Sequence, residues 1–171
     1  MEVAWINLLL LILLLVCLIT DLKNRRIYNK VLFPTLALAI IIHTFIDGWA
    51  GLSTAFLGFL IGLGILIIPF LLGGMGAGDV KLLAVIGALK GTSFVIVTAI
   101  YMALAGGIIA IVIILMKKGS AKALLYHFFG KKYGVDLPYE KSALSTTFPY
   151  GIAIVAGAIF TLFSQEKITL W

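Results

Sequence analysis

Seven of the 171 residues are Asp or Glu, and two of the seven stand where an ionised group is costly to keep. Asp21 closes an apolar run from Val3 to Thr20. Asp79 opens another, directly after the stretch Gly73-Gly74-Met75-Gly76-Ala77-Gly78. A carboxylate near hydrocarbon costs up to about 3 kcal/mol on insertion scales, so it marks a functional candidate. The remaining acids have ordinary places. Glu2, Asp47 and Glu166 fall in external ends or turns, and Asp136 and Glu140 in a hydrophilic loop.

Each of the two has a purely structural explanation as well. Asp79 can act as an N-cap, accepting backbone N–H bonds at the positive end of a helix. Asp21 faces the negative end of a helix dipole, which disfavours it, but it can pair with Arg25 or Arg26 at the water boundary. Together the two acids suit one chemistry. Neighbouring carboxylates cannot both ionise easily, so the pair shares a proton. The ionised member can deprotonate water while the protonated member polarises a carbonyl or protonates a leaving amine. Peptide hydrolysis needs both tasks, and neither a covalent nucleophile nor a metal is required.

The glycines fit that chemistry. Gly76 and Gly78 let the backbone bend sharply and approach an extended peptide closely, although a cluster of glycines also serves helix packing. A phosphate-binding loop is excluded, because no Gly-Lys-Ser/Thr follows and the preceding segment is not a strand.

The elements that must position these residues are helices in a bilayer. The chain is 63% hydrophobic and 12% charged, with a mean hydropathy of +1.20. A soluble domain carries about 25% charged residues, and a disordered one needs low hydrophobicity. The single Cys17 excludes a disulfide framework or a thiolate zinc site and reads as a small buried hydrophobe. A net charge of +6 does not imply nucleic-acid binding, because the basic residues lie in short gaps between apolar runs.

We expect an all-α integral membrane protein of one domain, residues 1–171, with six transmembrane helices. The spans fall at about 3–20, 31–46, 52–72, 79–91, 94–116 and 148–163. Pro69 is expected to kink the end of the third. The fourth is short, and charge decides that it crosses. With six crossings Lys23, Arg25, Arg26, Lys30, Lys81, Lys117, Lys118, Lys122, Lys131, Lys132 and Lys141 share one side, leaving Lys90 and Lys167 opposite. The positive-inside bias then puts both termini outside and both acids at the cytoplasmic face.

The first run does not read as a cleaved signal, because Met1-Glu2 is acidic where a signal is basic. The cytoplasmic loop 117–147 mixes Lys with Tyr126, Phe128, Phe129 and Tyr133, as an amphipathic element on the membrane surface would. Trp5, Trp49 and Trp171 fall at the outer interface. The small-residue pairs Gly58/Gly62 and Gly87/Gly91 predict close helix packing. His43 and His127 have no second ligand at metal spacing, so no metal or other cofactor is expected.

Three segments carry a family resemblance. Gly76-Ala77-Gly78-Asp79-Val80-Lys81-Leu82 resembles the signature of GxGD intramembrane aspartyl proteases, specifically the prepilin peptidase (type IV leader peptidase) family. Asp21-Leu22-Lys23-Asn24-Arg25-Arg26-Ile27-Tyr28-Asn29 is similar to that family's first aspartate motif, in which Ile-Pro-Asn follows the acid. Phe148-Pro149-Tyr150-Gly151 resembles a third, weaker motif at the last span.

The resemblance implies an aspartic endopeptidase in the cytoplasmic membrane of a prokaryote, with Asp21 and Asp79 as the catalytic pair. It would cleave the leader of a prepilin-like protein, whether pilin, pseudopilin, Flp-type pilin or archaellin, whose apolar N-terminal helix lies between the spans in the lipid bilayer. Gly76 and Gly78 would shape the loop, and Lys81 either tunes a carboxylate or anchors at the interface.

Two features depart from the pattern. Tyr28 stands where the family usually has Pro, so the chain is free to leave its first helix differently. The paired cysteines of the long bacterial members, linked to N-methylation, have no counterpart here. The resemblance is therefore to the short members and the archaeal preflagellin peptidases, with peptidase and no methyltransferase activity.

A proton- or cation-coupled transporter using Asp21 and Asp79 is the main alternative. It would more often set its acids at mid-bilayer within an inverted repeat. A non-catalytic platform binding pilin segments would tolerate loss of either acid.

Overall fold

A computed structural model describes residues 2–24, 26–116 and 150–168 as five helices. These are α1 (Glu2–Asn24), α2 (Asn29–Leu71), α3 (Ala77–Lys90), α4 (Thr92–Met116) and α5 (Tyr150–Ile168). The loop expected at 117–147, with its amphipathic element, lies outside the described residues, as do His127 and Trp171. Described residues from 2 to 105 and from 150 to 168 belong to one compact unit, and residues 106–116 to a second.

Three helices contain stretches long and apolar enough to cross a membrane, Trp5–Asn24, Asn29–Leu71 and Thr92–Val112. The apolar part of α5, Tyr150–Ser164, is shorter. Their surfaces match a lipid solvent. Along α1, Leu10, Leu13, Leu14 and Cys17 form a buried stripe at helical spacing, while Leu8, Leu11, Ile12, Leu15, Ile19 and Leu22 are exposed. In water such a ring of exposed leucine and isoleucine would drive association, whereas hydrocarbon accepts it. Trp5 and Trp49 are 71% and 80% exposed.

The second and third expected spans form one helical run of 43 residues, interrupted at Gly48, whose φ of 58° and ψ of −130° lie outside the helical region. The contacts of α3 show what this break does. Before Gly48, Asn29 bonds Lys81 and His43 bonds Leu89, so this limb runs alongside α3 in the same direction. After it, Gly58 meets Gly87 and Gly62 meets Leu83, so the second limb runs the opposite way. Gly48 therefore turns α2 back on itself, and a positive φ of this kind favours glycine. Pro69 does not end the helix, which continues to Leu71. The break comes at Gly73, with φ of 74°.

Helix α3 has 14 residues, about 21 Å at about 1.5 Å per residue, well short of a hydrocarbon core of about 30 Å. Its environment accounts for its stability at that length. Every residue from Leu82 to Leu89 is buried. Backbones approach closely because the facing residues lack side chains. A methyl group on Gly58 would overlap the carbonyl of Gly87, and one on Gly87 would overlap that of Gly58. Gly62 meets the carbonyl of Leu83, and the Cα of Gly91 also lies against Gly58. Gly58 thus packs on both Gly87 and Gly91, while Gly62 packs on the backbone of Leu83 and Ala84, the close helix packing that the small residues predict. In lipid, where apolar burial gives helices little reason to associate, such close contact supplies the attraction.

Candidate active site

Asp21 lies in the last turn of α1, which continues to Asn24, one turn beyond Cys17 on the helix's buried stripe. That register turns its side chain away from lipid and toward α3 and α5, against which α1 packs. Asp79 is the third residue of α3, whose N-cap is Gly76. It is therefore not the N-cap that its sequence position allows. Gly76 takes that place with no side-chain bond, and its carbonyl accepts the Asp79 N–H at 3.1 Å. The Asp79 carboxylate stays in the first turn, where the helix dipole favours negative charge.

The two acids come from segments 58 residues apart in sequence, yet Ile27 and Asn29, which follow Asp21, meet Gly78 and Lys81 on either side of Asp79. Both acids are partly buried.

Around the pair, each expected site residue has a definite place. A Cβ on Gly76 would come within 3.2 Å of Asp79 Oδ2. One on Gly78 would come within 3.1 Å of Ile27 Cβ, so this glycine lets the loop before Asp79 close against the segment that follows Asp21. Lys81 donates from Nζ to Asn29 Oδ1 at 3.2 Å and lies 5.9 Å from the Phe33 ring centre. Of the two roles open to Lys81, these contacts favour a structural tie over direct action on a carboxylate. Among the described residues no three His, Cys, Asp or Glu side chains group as metal ligands.

Three residues that the sequence reading did not single out also belong here. Ile27 and Asn29 meet Gly78 and Lys81 from the same nine-residue segment that begins at Asp21. Gly151, in the first turn of α5, packs directly on the Asp21 side chain. The signal for all three lay in the motifs quoted above, whose remaining positions were not assigned roles. Tyr28 is the N-cap of α2, with φ of −85° and ψ of 129°. That extended conformation is close to the one proline imposes, so Tyr28 leaves the path of the backbone near the one a proline would set.

The fold and site are those of a helical membrane protein in which distant segments bring two acids together beside a glycine-rich turn. Comparison with known families is specific: the model of the type IV leader peptidase family matches residues 8–111, more than half of the chain. The chain belongs to that family, and the match contains both Asp21 and Asp79. No curated protein and no solved structure matches it.

Proposed function

We propose that this peptidase is an intramembrane aspartic endopeptidase, in which Asp21 and Asp79 together activate one water molecule. The substrate is a prepilin-like precursor presenting the junction of its leader and apolar helix. The observation that carries the reading is the packing of the segment that begins at Asp21 against the start of α3, where Asp79 lies, within a chain of the leader peptidase family. With one proton on the pair, the ionised acid takes a proton from water as its oxygen attacks the scissile carbonyl, and the protonated acid hydrogen-bonds the carbonyl oxygen. Collapse of the tetrahedral intermediate passes a proton to the leaving amine and restores the pair.

The six crossings expected from charge belong to the same proposal. The two antiparallel limbs of α2 support separate second and third crossings, and α3 supplies a short fourth within a protein-lined surround. Both acids then lie at the cytoplasmic face. Cysteines introduced at Lys23 and Lys131 should react with a membrane-impermeant reagent from the same side. Reaction from opposite sides would remove one crossing.

Cleavage of a prepilin-like peptide by the full chain in detergent tests the chemistry. Asp21→Asn and Asp79→Asn should each abolish it while the thermal midpoint stays near that of the parent. Sustained cleavage by either variant would falsify the paired-acid reading.

A further inference from the structure

The buried glycines at helix contacts differ in what they touch. Gly58, Gly62, Gly87 and Gly157 face backbone: a methyl on any of them would strike a carbonyl, an amide nitrogen or a Cα of a neighbouring helix. Their role is to let helices approach. Gly151 differs. The three atoms nearest to a methyl at that position are Oδ2, Cγ and Cβ of Asp21, all of one side chain. The first two would be overlapped outright, and the third would be 3.2 Å away. The carboxylate of Asp21 therefore occupies the space that any other residue at 151 would fill.

We propose that Gly151 is a positioning residue for Asp21: its bare backbone in the first turn of α5 forms a seat that holds the Asp21 carboxylate in place for its work with Asp79. Several observations bear on this. The seat is buried, and α1 and α5 are packed together, so the glycine backbone cannot simply withdraw. The other acid has a similar arrangement, because Gly76 lies against Asp79 Oδ2. Each member of the pair thus rests on a glycine supplied by the start of a helix, α3 for one and α5 for the other. The family match ends at residue 111, so α5 and its glycine lie outside it. The role of Gly151 at the site is read from the packing.

A methyl at 151 cannot share that space with the Asp21 carboxylate, so the carboxylate must shift, on the scale of about 1 Å. Displacements of that size cost on the order of 100-fold in rate when they break the alignment of reacting groups. The inference rests on Asp21 being half of the catalytic pair, and its test separates the two ideas.

The first measurement is the kinetics of peptide cleavage by full-length Gly151→Ala. The expected result is a kcat lower by about 100-fold with KM within about twofold of the parent. Gly157→Ala is the control. Its methyl would meet the backbone of Met102 and Thr98, so it should lower the thermal midpoint and leave the kcat of the folded protein unchanged. An unchanged kcat in Gly151→Ala, with Asp21→Asn inactive, overturns the positioning role alone. Cleavage by Asp21→Asn overturns the catalytic reading instead.

The second measurement does not depend on activity and applies even if Gly151→Ala folds poorly. Thermal midpoints are compared for the parent, Gly151→Ala, Asp21→Ala and the double variant. If the seat exists for the carboxylate, Gly151→Ala lowers the midpoint in the parent and by less than half as much in Asp21→Ala. Equal losses in both backgrounds, or failure to fold in both, would assign Gly151 to helix packing and end the proposal.

Discussion

At its first turn α3 is tied to α2 by a lysine–asparagine bond, Lys81 Nζ to Asn29 Oδ1 at 3.2 Å, with the Phe33 ring 5.9 Å from the ammonium. At its last turn it is tied to α1 by another, Lys90 Nζ to Asn7 Oδ1 at 2.7 Å, with the Phe94 ring 5.3 Å away. The device is the same: an ammonium shared between an amide oxygen and an aromatic ring, worth more in a poorly hydrated setting than in water. What surrounds it differs. At the Lys90 end the groups complete one another. The His43 Nε2 lies 3.0 Å from the carbonyl of Leu89, one of those that a helix end leaves without an internal partner, and the Gly91 N–H bonds the carbonyl of Gly87. Lys90 also suits the negative end of the dipole. At the Lys81 end the same tie holds the start of α3, with Asp79, against the segment that begins at Asp21. One end of the helix is closed by complementary partners; the other carries the acid to which the proposed chemistry is assigned.

The comparison is broken most severely at the acids. Asp21→Asn or Asp79→Asn should lower the cleavage rate by about 1,000-fold or more, since an amide serves as neither general base nor general acid at neutral pH. Stability should hold or rise slightly, because the substitution removes a repulsion. No substitution of Lys90 or Asn7 should approach that effect on the rate of folded protein. Peptide cleavage assays on protein of verified thermal midpoint check both statements. A large fall in stability in the Asp variants would mean that the acids serve structure.

Next in size is the middle of α3, on which both ends depend. Gly87→Leu places four carbons against the carbonyl of Gly58, and overpacking of this kind costs about 3 kcal/mol or more where the obstacle is backbone. The expected result is loss of the folded form in detergent by size-exclusion chromatography. Gly64→Leu, on the same second limb of α2 but with open space around its position, should leave the elution profile unchanged.

The two lysine ties are distinguished by parallel substitution. Lys90→Met should lower stability by about 1 kcal/mol and leave kcat of the folded protein intact, because it bonds Asn7 and lies over the Phe94 ring at the end remote from the acids. Lys81→Met should cost a similar amount of stability and, in addition, about tenfold in kcat, because Asn29 and Ile27 hold the loop that carries Asp79. Equal effects of the two on kcat would mean that the tie at the Lys81 end does not position the acids.

How much of this was legible beforehand follows from the range of each interaction. The helices, the glycine-rich break and the two acids are local features of composition and spacing, and they appear where the sequence puts them. The close packing at Gly58, Gly62 and Gly87 was readable because small residues at four-residue spacing announce a close face. Three things were not. Gly48 reads as a turn, but its neighbours continue as helix on both sides, so the hairpin shows only through the partners of its limbs. Asp79 at the third helical position, instead of the N-cap, depends on where the backbone first turns helical, a matter of two residues that flanking glycines blur. The partners of Lys81 and Asp21 lie 52 and 130 residues away, and no local pattern states which of several polar groups a side chain will meet.

The smallest effect sharpens the comparison at the point where this sequence leaves its family's pattern. Tyr28 separates Ile27, which packs on Gly78, from Asn29, which bonds Lys81, so a change of backbone direction at Tyr28 would disturb both contacts at once. Its φ of −85° and ψ of 129° lie within about 20° of values that proline adopts. Its carbonyl accepts the N–H groups of Val31 and Leu32, at 3.0 and 3.4 Å, and a proline retains that carbonyl. Tyr28→Pro should therefore keep the contacts on either side and stabilise the protein by about 0.5 kcal/mol, chiefly by restricting the unfolded chain. Activity should stay within about twofold of the parent, because the geometry of neither acid depends on the tyrosine ring, which is exposed. A thermal shift upward of a degree or two with unchanged kcat is the expected reading. A loss of activity with stability retained would show that the ring itself contributes, and would move Tyr28 from a backbone element of the loop to a surface that meets substrate.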